Sequence, residues 1–163
     1  MSVGAKATER MTVVSDSTCV TTLMKAGEVW LLKELFTSVL VPPAVAGELR
    51  AFHEELPDFV VVHPVQSPEL RLPGTETLGR GEAEAIKLAK QLRADLLLTD
   101  DRKARLLARK VGVECSGLLG LLVQAKRKGM LPSVKQIIEV LECRGSLYLS
   151  DAIKAEVLKL AGE

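Results

Sequence analysis

The chain has 163 residues, of which 22 are Lys or Arg and 21 Asp or Glu, for a net charge of +1, and 47% of it is apolar. That size and balance suit one globular domain and exclude a disordered chain. The near-zero net charge excludes a general attraction to nucleic acid, so any such binding must come from local basic patches.

No apolar run reaches the roughly 18 residues that span a bilayer. The first ten residues hold no apolar core of the signal-peptide kind, so the expected location is cytoplasmic, with no membrane partner. Aromatics at 3% argue against a binder that stacks bases on a platform of rings. Cys19, Cys115 and Cys143 are far apart and odd in number, which suits reduced packing residues rather than a disulfide or zinc framework.

Residues 1–10 are small and polar and read as a flexible arm, with a single domain expected over 11–163. Met11 to Ser15 is a short β-branched strand with Asp16 at its end, and Ser17 or Thr18 is placed to cap the next helix, on which Val20, Leu23 and Met24 share a face. A further helical stretch runs from Val29 to Leu35. Ser38 to Val41 reads as a strand stopped by Pro42-Pro43, where a proline suits the first helical position. The helix that follows, to about His53, carries Val45, Leu49 and Phe52 as its apolar stripe, with Glu48 beside it.

Phe59 to His63 is a further strand, and 64–79 form a loop. Gly81 to Arg93 is strongly helical, with Ala85, Ile86, Ala89 and Leu92 at helical spacing and Glu82 continuing the stripe into the first turn, while Glu84 falls on the other side. Asp95 to Thr99 is a buried strand ending in Asp100-Asp101. After it come a helix to Val111, a short strand over Val113 to Cys115, and helices from Leu118 to Lys128, Ser133 to about Cys143 and Ser150 to Ala161. The part from about 118 to 163 is a helical extension.

Alternating strands and helices imply an α/β protein, a three-layer α/β/α sandwich with a mostly parallel central sheet, and right-handed crossovers put all strand carboxyl ends along one edge. Asp16, Asp100 and Asp101 then share that edge, where open α/β sheets build their sites. Glu48 and Glu82 can converge on it from neighbouring helices. Acids gathered in this way repel unless a cation or proton lies between them, and hard divalent cations such as Mg²⁺ or Mn²⁺ take oxygen ligands. Such ions lower the pKa of a bound water and stabilise charge on an attacked phosphate, so the constellation points to metal-assisted phosphodiester hydrolysis.

Each acid alone has an ordinary explanation. Asp16 could cap a helix, Glu82 and Asp101 could favour helix dipoles, and Glu48 could be a solvated surface residue; the combination shifts the weight. Arg102, Lys103 and Arg105 follow the acid pair at once, placed to hold a sugar-phosphate backbone beside a metal site. Gly79-Arg80-Gly81 is too short for a dinucleotide fingerprint, and no phosphate loop or nucleophile elbow occurs.

At these residues the sequence resembles the PIN-domain nucleases. Val13-Val14-Ser15-Asp16-Ser17-Thr18 is similar to the opening strand with its first acid, and Glu48 in Val45-Ala46-Gly47-Glu48-Leu49 to the second. Glu82 in Gly81-Glu82-Ala83-Glu84-Ala85-Ile86 resembles the third, and Leu97-Leu98-Thr99-Asp100-Asp101 the fourth. The resemblance covers about 11 to 120, and the stretch from Gly117 to Gly129 with the C-terminal helices resembles a toxin-like prokaryotic branch. The family often has Asp where Glu82 stands, and Thr18-Cys19-Val20 replaces a common Ser-Pro-Leu.

The resemblance implies a Mg²⁺- or Mn²⁺-dependent ribonuclease acting on single-stranded RNA, in many cases the toxin of a toxin–antitoxin pair, homodimeric and held inactive by a small antitoxin protein. It further implies Asp16, Glu82 and Asp101 as direct metal ligands, with Asp100 and Glu48 completing the catalytic set. The alternative is a non-catalytic PIN-like module that binds nucleic acid or regulates. A phosphoacceptor receiver domain fits less well, because its acid pair follows the first strand. A haloacid-dehalogenase-like phosphatase fits poorly too, because Thr18 stands where a second Asp belongs.

Overall fold

The structure, a computed structural model, describes residues 11–66, 71–144 and 147–163. The expected arm over residues 1–10 lies outside the described residues. Five short strands, β1 (Val13–Ser15), β2 (Val39–Val41), β3 (Val60–Val62), β4 (Leu96–Leu98) and β5 (Cys115–Ser116), form one sheet in the order β3-β2-β1-β4-β5, and every pairing is parallel. The helices are α1 (Ser17–Ala26), α2 (Trp30–Phe36), α3 (Pro43–Phe52), α4 (Arg80–Leu92), α5 (Arg102–Lys110), α6 (Leu118–Arg127), α7 (Val134–Arg144) and α8 (Asp151–Leu160). This is the parallel α/β sandwich that the strand and helix periodicities require.

The pleat divides the core. Val13 and Leu98 point to one face, where they meet Val20 and Leu23 of α1, Leu121 and Leu122 of α6, and Ile138 and Leu141 of α7. Val14 and Leu97, paired in register across β1 and β4, point to the other face, against Ile86 and Ala89 of α4 and Ala104 and Ala108 of α5. Val157 and Ala161 at the C-terminal end belong to the first cluster, so α8 closes over the same core as α1 and α6.

Several local readings change. The first helix is capped by Asp16 rather than by Ser17 or Thr18, because the Asp16 carboxylate accepts the Cys19 N–H at 3.2 Å. Phe52 is not part of the α3 stripe, which is Val45, Ala46 and Leu49; the helix outruns the core, and Phe52 is 72% exposed, with the Lys25 ammonium 5.8 Å from its ring centroid. Within the expected 64–79 loop, Thr75–Thr77 form one turn of 3₁₀ helix behind Gly74, whose positive φ of 96° suits glycine. Glu84, off the α4 stripe, accepts the Ala44 N–H of α3 at 2.9 Å and pairs with Arg80.

The strand order fixes where a site belongs. From β1 the chain moves outward through β2 to β3, then returns to β4 on the other side of β1 and continues to β5. The connections that leave the carboxyl ends of β1 and β4 therefore diverge, and a crevice opens between them. This is the switch point at which open parallel sheets bind their ligands. Asp16 follows β1 and Asp100 follows β4, so both stand at its lip.

Candidate active site

Asp16 is 3% exposed, at the centre of the crevice. Its backbone N–H donates to Leu98 O at 3.0 Å, which ties the turn after β1 to the end of β4. Burial pushes its carboxyl up; the Thr99 hydroxyl and the Cys19 N–H pull it down, and the negative charges of Asp100 and Glu82 push it up again, leaving it at about 6 against the ordinary 3.8. A carboxylate so placed favours a cation or a proton beside it.

Asp100 turns into this crevice. One of its oxygens accepts the Leu118 N–H at the start of α6, at 3.0 Å, and the other lies 3.4 Å from Cys19 Sγ. Cys19 thus touches both acids, by its N–H to Asp16 and by its thiol to Asp100. Burial and the two carboxylates raise the Cys19 thiol well above its usual range, so it stays an S–H donor. The Asp100 carboxylate also presses on Gly117, where a Cβ would collide with its Oδ1.

Asp101, expected as a direct ligand, is placed differently. Its Oδ1 accepts the Ala104 N–H at 2.8 Å and caps α5, and the charges acting on Asp16 are those of Asp100 and Glu82. Adjacent residues at a strand end point to opposite sides. Asp100 faces the crevice, and Asp101 starts the helix.

Glu82, in the first turn of α4, is half-buried, and its carboxylate folds back over Gly79. Glu48 is exposed on α3 and accepts a hydrogen bond from the Ser17 hydroxyl. Its carboxylate also lies against Gly81, so the missing side chain at 81 leaves the Glu48 carboxylate room against the first turn of α4. Ser17, which holds Glu48, is visible in the sequence only as a cap candidate, and Thr99, which holds Asp16, only as the last residue of a strand. The Leu118 N–H had no sequence signal, because a backbone donor has none.

Among the described residues, no group of three or more His, Cys, Asp or Glu side chains is placed to hold an ion as the side chains stand. Asp100 accepts from Leu118 and Glu48 from Ser17, and the Glu82 carboxylate lies folded back against Gly79. The chemistry of the donor set nonetheless fits a hard divalent cation. Asp16, Asp100 and Glu82 are oxygen donors, and each of the latter two already raises the proton affinity of the first. The basic residues Arg102 and Lys103 are exposed at the start of α5, and Arg105 is half-buried beside Gly117.

Fold and site together define a parallel α/β protein with a carboxylate centre at the switch point of its sheet. A family model described as PIN domain matches residues 12–163, and the chain belongs to the PIN-domain family. PIN domains are generally nucleases and typically use divalent metals, which places the chain at that level among nucleic-acid hydrolases. No curated protein matches it. No described helix is long and apolar enough to cross a membrane.

Proposed function

We propose that the chain is a Mg²⁺- or Mn²⁺-dependent endoribonuclease of single-stranded RNA. The observation that supports this most is that buried Asp16 and Asp100 meet on Cys19 at the sheet switch point, with the negative charges of Asp100 and Glu82 acting on Asp16. In this reading Asp16, Asp100 and Glu82 hold the cation, and Glu48 completes the set from α3. Asp101, a ligand by the resemblance, serves in this reading as the cap of α5, the helix that carries Arg102, Lys103 and Arg105. When bound, the cation supplies an activated water and stabilises charge on the phosphoryl group. The protein's own part is to exclude bulk water from Asp16, to fix Asp100 through Leu118 and Cys19, and to hold the RNA backbone by the α5 cations. The resemblance further suggests a homodimer acting as the toxin of a pair with a small antitoxin protein.

The test is cleavage of a panel of single-stranded RNAs by the purified chain with Mg²⁺, with Mn²⁺ and with chelator. Cation-dependent cleavage lost in Asp16→Asn and Asp100→Asn supports the reading; no cleavage under any of these conditions overturns it. A second reading, a PIN module that binds RNA without cutting it, is favoured by the hydrogen bonds that already occupy Asp100 and Glu48. It predicts RNA binding with no turnover.

A further inference from the structure

Beside the acid centre, on the β5 side, a groove of about 580 Å³ runs between the loop after β4, the start of α6 and the last turns of α8. Its mouth is shared by Asp100 and Arg105. Residue 117 at that point is glycine: a Cβ there would strike the Asp100 carboxylate, while Arg105 Nη1 would stand at an ordinary 3.6 Å from it. The floor is apolar, formed by Leu119 and Val123 of α6 with Val157 and Leu160 of α8. Leu160 is 53% exposed, a large apolar surface left uncovered beside a charged site. Arg127 stands at the far end, held in place by donating to Leu160 O at 3.1 Å.

Arg105 is the informative residue. It is half-buried, yet among the described residues its guanidinium has no ion pair and no hydrogen bond, although Asp100 shares the mouth. A partly desolvated guanidinium without a carboxylate partner favours an anion with planar or bidentate acceptors, and phosphate meets that need. An apolar floor between two guanidinium groups matches the alternation of a nucleic acid strand, in which a nucleoside lies between two phosphates.

We propose that this groove is a nucleotide subsite flanking the scissile linkage. Arg105 takes the phosphate next to Asp100, the adjoining nucleoside lies over Leu119, Val123, Val157 and Leu160, and Arg127 takes the following phosphate. The base must be unstacked and unpaired to lie there, so the subsite selects single strands by shape, without the aromatic platform that this chain lacks. Glu156, the exposed carboxylate of the α8 wall, opposes the strand and sets a limit on its affinity. The subsite rests on the nuclease reading above for what lies at its mouth.

The experiment measures binding of a fluorescent single-stranded RNA to the full chain carrying Asp16→Asn, alone and with Arg105→Gln, Leu160→Ser or Glu156→Lys added, and KM and kcat for the same substitutions in the active chain. Arg105→Gln should weaken binding about tenfold and raise KM more than it lowers kcat, as loss of one charged phosphate contact predicts. Glu156→Lys should tighten binding about threefold, a gain that damage to the fold cannot mimic. Leu160→Ser should weaken the single strand and leave a duplex of the same sequence unchanged. If RNA is bound and cut but Arg105→Gln and Glu156→Lys both leave affinity and KM unchanged, the subsite is overturned and the nuclease reading stands. If RNA is bound and never cut, the nuclease reading falls and the binding series alone decides the subsite. If no RNA is bound, both fall.

Discussion

Two carboxylates in this chain occupy the same kind of place, the N-terminal end of a helix, in opposite circumstances. Glu163 accepts hydrogen bonds from the N–H groups of Val134 and Lys135 and from the Ser133 hydroxyl at 2.8 Å, and pairs with Lys126 at 3.4 Å. Burial raises its carboxyl, but these donors outweigh it and hold the group at about 2. Asp16 also caps a helix, yet its further neighbours are acids, and it is pushed to about 6. The first carboxylate is satisfied by the protein and serves the fold. The second is left short of positive charge, an arrangement that costs stability and that, in the proposed reading, keeps a place for a cation.

The contrast makes predictions of graded size. Asp100→Asn should lower cation-dependent RNA cleavage by at least about 100-fold with the circular dichroism spectrum unchanged, the scale of losing one preorganised charge at a reacting centre. Mg²⁺ or Mn²⁺ at roughly 100 times its dissociation constant should stabilise the chain by about 2.7 kcal/mol in thermal melts, and Asp16→Asn should remove that gain.

Without cation, the sign at Asp16 itself is also fixed. Its folded value lies above the ordinary one, so protonation favours the folded chain, and stability should rise as pH falls from 7 through 6 and decline as pH rises back through 6. Asp16→Asn should then stabilise the cation-free chain near pH 7.5 by on the order of 2 kcal/mol, measured by urea unfolding; destabilisation there would show that the site is not electrostatically strained. Glu163→Gln should do the reverse, costing about 1 kcal/mol as a lost helix cap. The Glu163 contribution should be present above about pH 4.5, its ordinary value, and fade as pH falls toward 2.

Much of this was legible in the sequence because apolar runs bounded by Gly, Pro and acids have few alternatives to strands. The first four strands prove one or two residues shorter at their ends than the apolar runs suggest, and the fifth is shifted, to Cys115–Ser116 from Val113 to Cys115. At Asp95, for example, the side chain accepts the Thr12 N–H at 2.8 Å beyond the end of the ladder, an edge contact that propensity does not report. The acids were legible as a set, through their shared relation to strand ends. Their individual orientations were not. Which of Asp100 and Asp101 turns inward depends on the backbone angles at the end of β4 and on a Leu118 N–H in another helix. The Glu84 contact with Ala44 likewise requires α3 and α4 to be packed before it exists.

The open edge of the sheet at β3 has a bearing on how the chain behaves in company. Val61 and Val62 are 43% and 37% exposed on a strand that, among the described residues, is paired on one side only, the kind of surface that can template further strands. Pro57 and Pro64 bracket it, each lacking the N–H that a growing ladder would require. The stretch between them is too short to recruit a lasting neighbour, so apolar side chains can remain at the rim without seeding sheet-to-sheet growth. Pro64→Ala would lengthen the available ladder and should raise the aggregation rate in light scattering, with little change in the folded chain's unfolding midpoint.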